Sequence, residues 1–251
     1  MMGRKSLIGS AVLCALAFSA FAAANASAAQ KAVTCSSTAP TKTFGDAHCT
    51  GAGSTFGHTT IADNAVTTIT GSNAKTAFST TAARVLKLRG QLGFHMVEIQ
   101  CTGATGHGTL TNKSAPTAHV EGEGIIKYTG CTVTAPSGMG CVVTGGTFTT
   151  NNLLATTEGR AAGKLHIKPA TGVTLASISI SGCTIVSTVP VTGALTAQVS
   201  GATITTIHNA VTAEEELEFG GVGAGLDGAL TISMAEGSTP TITAGQAIAL
   251  T

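Results

Sequence analysis

The side chains that could do chemistry are few in this sequence, and most lie far apart. None of the seven histidines is two or four residues from another, so no pair shares a strand face or a helical turn locally. Asp46, His48 and His58 fall close together and have the side-chain types of a metal site, but a glycine-rich loop that carries two histidines explains them better. The sequence therefore predicts no metal ion and no cofactor.

The short motifs that mark known active sites are absent or lie in the wrong context. The run from Gly223 to Gly228 matches the glycine pattern of dinucleotide-binding loops, but it leads into a strand-forming segment instead of a helix. The sequence contains no G-x-S-x-G and no H-E-x-x-H. No catalytic residue is predicted. The alternative is a secreted hydrolase whose site is assembled in space, and its candidate residues are His48, His58, His107, His119 and Glu121.

The cysteines indicate an oxidising compartment. Without Cys14, which lies in the N-terminal apolar segment, six remain: Cys35, Cys49, Cys101, Cys131, Cys141 and Cys183. An even number in an exported chain favours disulfides, and the lack of any C-x-x-C argues against zinc. Local pairing predicts Cys35–Cys49 and Cys131–Cys141, which leaves Cys101–Cys183 by elimination.

The N-terminus is typical of a secretory signal peptide. Arg4 and Lys5 precede an apolar stretch, and small residues near Ala26 suit a signal peptidase. We assign residues 1–28 to the signal and residues 29–251 to one disulfide-stapled β domain, with cleavage between Ala26 and Gln30. The mature chain is predicted to be secreted or held at the cell surface, without a membrane span.

Composition excludes several classes of function. Of the 13 basic residues, Arg4 and Lys5 leave with the signal, so 11 basic residues face 12 acidic ones. No basic field is present to bind nucleic acid. The chain has no Trp and one Tyr, which argues against a sugar cleft built on aromatic stacking.

The pattern of the mature region predicts an all-β fold. Large apolar residues alternate with polar ones at 86–89, 97–101, 164–168 and 216–219 and with alanine at 247–250, and scattered glycines supply turns. We expect a two-layer antiparallel β-sandwich of the jelly-roll type, with an irregular β-helix or a barrel as alternatives. Thr-apolar-Thr recurs six times, as in ice-binding surfaces, but at irregular intervals, so ice binding is only a minor alternative.

Several segments resemble a known group of proteins. Three segments, 97–103, 128–133 and 210–233 (the last with 219–221 and 225–231), are similar to exported threonine-, glycine- and alanine-rich β proteins with six cysteines, from soil actinobacteria of the Thermoleophilia type. The resemblance extends from about Phe44 to Leu250. No activity is known for that group, so it implies a bacterial, exported setting and transfers no catalytic residue. The function expected from the sequence is a non-enzymatic structural, surface or adhesion module that binds an unknown extracellular or cell-surface partner.

Overall fold

The computed structural model describes residues 30–46, 49, 51–73, 86–114, 116–183, 188–200, 203–208, 216–234 and 248–250. The predicted signal peptide lies outside these residues. Within them the fold is all-β, as predicted, with one 3-10 turn at Thr144–Gly146 and no α-helix. The twenty strands are β1 Ala32–Ser36, β2 Gly57–Thr60, β3 Thr67–Asn73, β4 Leu86–Leu92, β5 His95–Cys101, β6 Gly103–Lys113, β7 His119–Thr129, β8 Thr132–Ala135, β9 Val142–Val143, β10 Thr147–Thr149, β11 Leu153–Thr156, β12 Lys164–Pro169, β13 Thr174–Ser181, β14 Thr188–Thr192, β15 Leu195–Ser200, β16 Thr203–His208, β17 Glu218–Phe219, β18 Val222–Gly223, β19 Gly225–Met234 and β20 Ile248–Leu250.

The largest sheet contains twelve strands and curls back on itself. Its order is β16-β15-β12-β11-β7-β6-β3-β19-β4-β5-β8, with β10 paired to β7. Strand β19 pairs with β4 through its first residues and with β3 through its last, and its other edge pairs with β16. Eight antiparallel strands, from β16 round to β19, therefore form a closed circuit of backbone pairing. This arrangement is barrel-like, and β4, β5 and β8 branch from it.

Two smaller sheets pack against opposite ends of the long strand β7. The five-stranded sheet β18-β17-β14-β13-β9 shares the main hydrophobic core with the large sheet, and Phe148 and Tyr128 lie in this region. The three-stranded sheet β2-β1-β20 places Ala32 against Leu110 and Val120, near the start of β7. The core thus has a major cluster towards the end of β7 and a small cluster at its beginning.

Glycines replace bulky side chains where β6 and β7 run side by side. Gly108 and Gly124 are direct cross-strand partners. A Cβ atom on Gly124 would lie 2.5 Å from the carbonyl oxygen of His107 and 2.9 Å from the Cα atom of Gly108. The two backbones therefore approach more closely than any side chain would allow. Glycine pairs of this kind permit the sharp curvature that a closing sheet needs.

Three disulfides connect the six predicted cysteines, but only one of the predicted pairs is correct. Cys35–Cys49 is confirmed, with a Cα–Cα distance of 5.7 Å. The other two predictions, Cys131–Cys141 and Cys101–Cys183, are wrong, because the bonds are Cys101–Cys131 and Cys141–Cys183.

Strand pairing explains the correction. The segment after Cys131 forms β8 and pairs with β5, which ends at Cys101. The segment after Cys141 forms β9 and pairs with the end of β13, close to Cys183. Cys131 and Cys141 therefore begin strands of different sheets, although they are close in the chain. The short loop between them does not close a hairpin, so local pairing was the wrong assumption.

A buried asparagine connects the small core to the large sheet. Asn112, on β6, is fully buried, and its Oδ1 accepts a hydrogen bond from the Ala32 backbone N–H at 2.8 Å. Its Nδ2 donates to the carbonyl oxygens of Ala32 at 3.0 Å and Ile61 at 2.7 Å. Asn112 also begins an N-x-S sequon, but in this position its amide is not accessible to a glycosylating enzyme.

We expect Asn112→Ala to lower the free energy of unfolding by about 3 kcal/mol, because it leaves the buried Ala32 N–H and Ile61 carbonyl without a partner and removes one of the two hydrogen bonds to the Ala32 carbonyl. Urea unfolding followed by circular dichroism measures the change. Asn152→Ala is the matched control, since the exposed amide of Asn152 makes one side-chain hydrogen bond, to Glu123, and should contribute about 0.5 kcal/mol or less. Equal effects of the two substitutions would contradict the role given to Asn112.

Candidate functional site

The residues that have the side-chain types of a metal site do not form such a site in the described part of the chain. His58 packs its ring against Phe44 at a centroid distance of 4.9 Å. The Asp46 carboxylate accepts a hydrogen bond from the Gly51 backbone N–H at 2.7 Å, which closes the surrounding loop. His48 lies outside the described residues. Across those residues, no group of three or more His, Cys, Asp or Glu side chains is placed to hold a metal ion.

The hydrolase alternative requires a histidine and a carboxylate within hydrogen-bond distance inside a pocket. His119 Nε2 lies 3.9 Å from Glu121 Oε2, beyond that distance, and Lys113 is the closer partner of Glu121 at 3.0 Å. His119 Nδ1 contacts the carbonyl oxygen of Thr117 at 2.6 Å. His107 is exposed on β6. Among the candidates that the structure describes, no histidine and carboxylate are therefore brought together as an acid–base pair.

A polar groove of about 580 Å³ lies beside β12. Arg160, His166, Lys168 and Glu216 line it. Burial lowers the pKa of His166, and the positive charges of Arg160 and Lys168 lower it further, so this imidazole is neutral at neutral pH. The groove offers positive charge to an anion, but it contains no hydrogen-bonded pair among the described residues that could transfer a proton.

The most distinctive feature of the interior is an apolar cavity that begins within the closed circuit of strands and extends to the five-stranded sheet. One part, here called the glycine chamber, has a volume of about 130 Å³. Aliphatic residues such as Ala155, Leu165 and Val199 form part of its wall. The remainder includes five glycines on three neighbouring strands: Gly71, Gly106, Gly108, Gly122 and Gly124. Two polar side chains, His107 and Glu123, also border it, and both are exposed.

A second part of the cavity, here called the tyrosine chamber, has a volume of about 120 Å³. It lies between the large sheet and the five-stranded sheet, whose Leu175 and Val191 contribute to its wall. Its polar side chains among the described residues are Tyr128 and Thr150, and none of those that line it is charged. The two chambers adjoin, because both are lined by Ile126, Leu153, Ile167 and Ile204.

The size of these chambers decides what they can hold. Closed eight-stranded sheets usually fill their interior with side chains or hold one small ligand. A cavity of about 150 Å³ lined by aliphatic and aromatic groups accepts benzene. Each chamber is close to that size, so together they fit an elongated apolar molecule with two small segments.

Sequence reasoning missed this cavity, although a signal was present. The pairs Gly106-x-Gly108 and Gly122-x-Gly124 place glycine at every second residue, which is one face of a strand. Read as turn signals, such glycines indicate loops. In the structure they lie in the middle of the two longest strands, β6 and β7, and their missing side chains create the space.

The repeated Thr-apolar-Thr segments do not form one regular face. Thr68 on β3 is the cross-strand partner of Thr109 on β6, and both are exposed. The neighbouring strand β7 then places Glu123 beside Thr109 and Lys127 beside Thr105. The copy on β8 lies at the far end of the large sheet, and the copy at 241–243 is outside the described residues. Charged side chains thus interrupt the threonine rows on a curved surface.

The comparisons with known proteins identify no relative. No protein-family model matches the chain, and neither a curated protein nor a solved structure matches it. The resemblance to exported actinobacterial proteins therefore stays a prediction. In the described ranges, no helix is long and apolar enough to cross a membrane. The fold and the cavity together define an all-β protein with a curled, closed sheet and an apolar interior.

Glu98, on the branch formed by β4, β5 and β8, has four hydrogen-bond donors around its carboxylate. Glu98 accepts from Lys87 Nζ at 2.9 Å and Arg89 Nε at 2.7 Å. Gln100 Nε2 and the Thr134 hydroxyl donate to its other oxygen at 2.7 and 2.8 Å. Burial would raise the pKa of Glu98, but these four donors outweigh it and lower the pKa from 4.5 to about 2. The network joins three strands and is structural.

We expect Glu98→Gln to lower the free energy of unfolding by about 1–2 kcal/mol at pH 7, since part of the network is screened by water. The contribution of Glu98 is complete above the ordinary pKa of 4.5 and is lost as the pH falls towards about 2. Urea unfolding at several pH values should therefore show the difference between wild type and variant shrinking below pH 4.5. The exposed Glu158→Gln is the control. A difference that stays constant down to about pH 2 would contradict the assignment.

Proposed function

We propose that this chain is an exported, disulfide-stapled binding protein, not an enzyme, that holds a small apolar molecule inside its closed sheet. The observation that carries the proposal is the pair of adjoining apolar chambers, of about 130 and 120 Å³. Eight-stranded closed sheets are an established way to hold one small ligand. The proposal keeps the non-enzymatic binding role expected from the sequence, and it proposes an interior ligand in place of a surface or adhesion contact.

Export is supported by the disulfides, and the position of Gln30 is compatible with the predicted cleavage interval. Three disulfides favour an oxidising compartment. Gln30 is buried: its Nε2 donates to the Ala161 carbonyl at 3.1 Å, and its Oε1 accepts from the Gly163 N–H at 3.0 Å. Cleavage within the predicted interval would leave this residue in the mature chain, where the fold uses it.

An exposed apolar hairpin tip adds a surface that a partner could contact. Phe94 is fully exposed between β4 and β5, and Met96 beside it is 58% exposed. A single exposed pair is too small to define a partner by itself. The interior cavity is therefore the basis of the proposal.

We expect toluene to bind the purified mature protein saturably, as measured by ligand-observed NMR titration. Ala155→Leu adds three carbon atoms in the glycine chamber and should weaken toluene binding in that chamber at least about tenfold, because the space is filled, while the tyrosine chamber stays open to toluene. Thr105→Leu is the matched control, since Thr105 is exposed on β6 and the substitution should leave binding unchanged. If wild type does not bind toluene, or if both variants weaken it equally, the proposal is wrong.

We expect mass spectrometry of the protein from its native host to give a mature chain whose first residue lies between Ala26 and Gln30. Thiol labelling under denaturing, non-reducing conditions should detect no free cysteine, because all six are paired. An intact Met1 or a labelled cysteine would contradict the export proposal, and a lipid on Cys14 would contradict the cleavage interval.

A further inference from the structure

The polar groups of the tyrosine chamber indicate which kind of apolar molecule it takes. Tyr128 lies near the end of β7 and stacks on Phe148, with ring centroids 5.0 Å apart and planes at 30°. Phe148 is buried, and its strand β10 pairs directly with β7 at Tyr128. The Tyr128 ring is therefore held in place by its neighbour before any ligand arrives.

The hydroxyl of Tyr128 is available as a hydrogen-bond donor. Burial raises the pKa of Tyr128 to about 12, so the group keeps its proton at any physiological pH. The residue nevertheless retains accessible surface, and it lines the chamber. Among the described residues, its hydroxyl has no hydrogen-bond partner. An acceptor on a ligand in the chamber would take the hydrogen bond for which this hydroxyl has no described partner.

Thr150 adds a second hydroxyl to the same chamber. Its oxygen accepts a hydrogen bond from the Ile126 backbone N–H at 2.9 Å, so the oxygen is already used as an acceptor. The Thr150 hydroxyl can still donate a hydrogen bond through its own O–H. The polar part of the chamber therefore favours a ligand group that accepts hydrogen bonds over one that donates them.

None of the described residues that line this chamber is charged, and this excludes ionised ligands. An ionised carboxylate or phosphate would lose its hydration there without meeting a cation, which is strongly unfavourable. A neutral carbonyl oxygen has a much smaller desolvation penalty and can accept the Tyr128 hydrogen bond. The remaining walls are aliphatic and aromatic and suit hydrocarbon.

We propose that the cavity binds a neutral, elongated apolar molecule with one carbonyl acceptor, such as a ketone, aldehyde or ester, whose oxygen accepts a hydrogen bond from the Tyr128 hydroxyl. The hydrocarbon part extends past Ile126 and Leu153 into the glycine chamber. This inference rests on the proposed function and names its ligand class. Tyr128 acts here as a binding residue that selects for the carbonyl.

The test compares two probes of the same shape in wild type and Tyr128→Phe. Acetophenone carries a carbonyl, and α-methylstyrene replaces that oxygen with a CH₂ group. Ligand-observed NMR titration gives both dissociation constants. We expect Tyr128→Phe to weaken acetophenone binding about fivefold to tenfold and to change α-methylstyrene binding less than about twofold. The carbonyl ¹³C resonance of bound acetophenone should move downfield in wild type and lose that shift in the variant.

The outcomes separate this inference from the proposed function. If both probes bind and Tyr128→Phe weakens them equally, or weakens neither, the cavity is a binding site but the carbonyl preference is refuted. If neither probe binds wild type, the proposed function fails together with the inference. Thermal unfolding of Tyr128→Phe shows whether the variant is folded, and the α-methylstyrene titration serves as the internal control for an intact cavity.

Discussion

The backbone pairing between β16 and β19 is the constraint on which the rest of the structure depends. Without it, the large sheet would have β16 as an open edge, with unpaired N–H and C=O groups available for aggregation. With it, eight strands share one interior, and their inward residues surround a common space. That closure requires strong curvature, which the close approach of β6 and β7 at Gly108 and Gly124 permits.

The glycines that allow the sheet to curve also line the cavity. A closed sheet of eight strands leaves room for one layer of inward side chains, so removing several of them leaves a space of ligand size. Leu110 and Val120 fill the beginning of the interior and join the small core, whereas Tyr128 and Phe148 belong to the major cluster at the other end. The space between them is the cavity. The feature that bends the sheet is thus also the one that creates the proposed binding site.

The polar and covalent contacts hold the periphery to this curled sheet. Asn112 attaches β1 and the segment at Ile61 to β6 through three hydrogen bonds. Glu98 joins β4, β5 and β8 on the branch, and Cys101–Cys131 lies at the end of the same branch. Cys141–Cys183 closes the contact between β9 and β13. Each of these groups is surrounded by partners, which is typical of structural roles and unlike an acid–base centre.

The sequence by itself determined the all-β class, several strands and the set of cysteines, because alternation and cysteine count are local properties. The strands at Leu86, Val97 and Lys164 follow from period-two patterns. Tertiary structure alone decided which strands pair, and therefore which cysteines bond: Cys131 and Cys141 are close in the chain but enter different sheets. Tertiary structure also placed the glycines of β6 and β7 in the middle of strands and not in turns. Whether a glycine marks a turn or leaves a cavity depends on what faces it across the sheet, and that is a property of non-local packing.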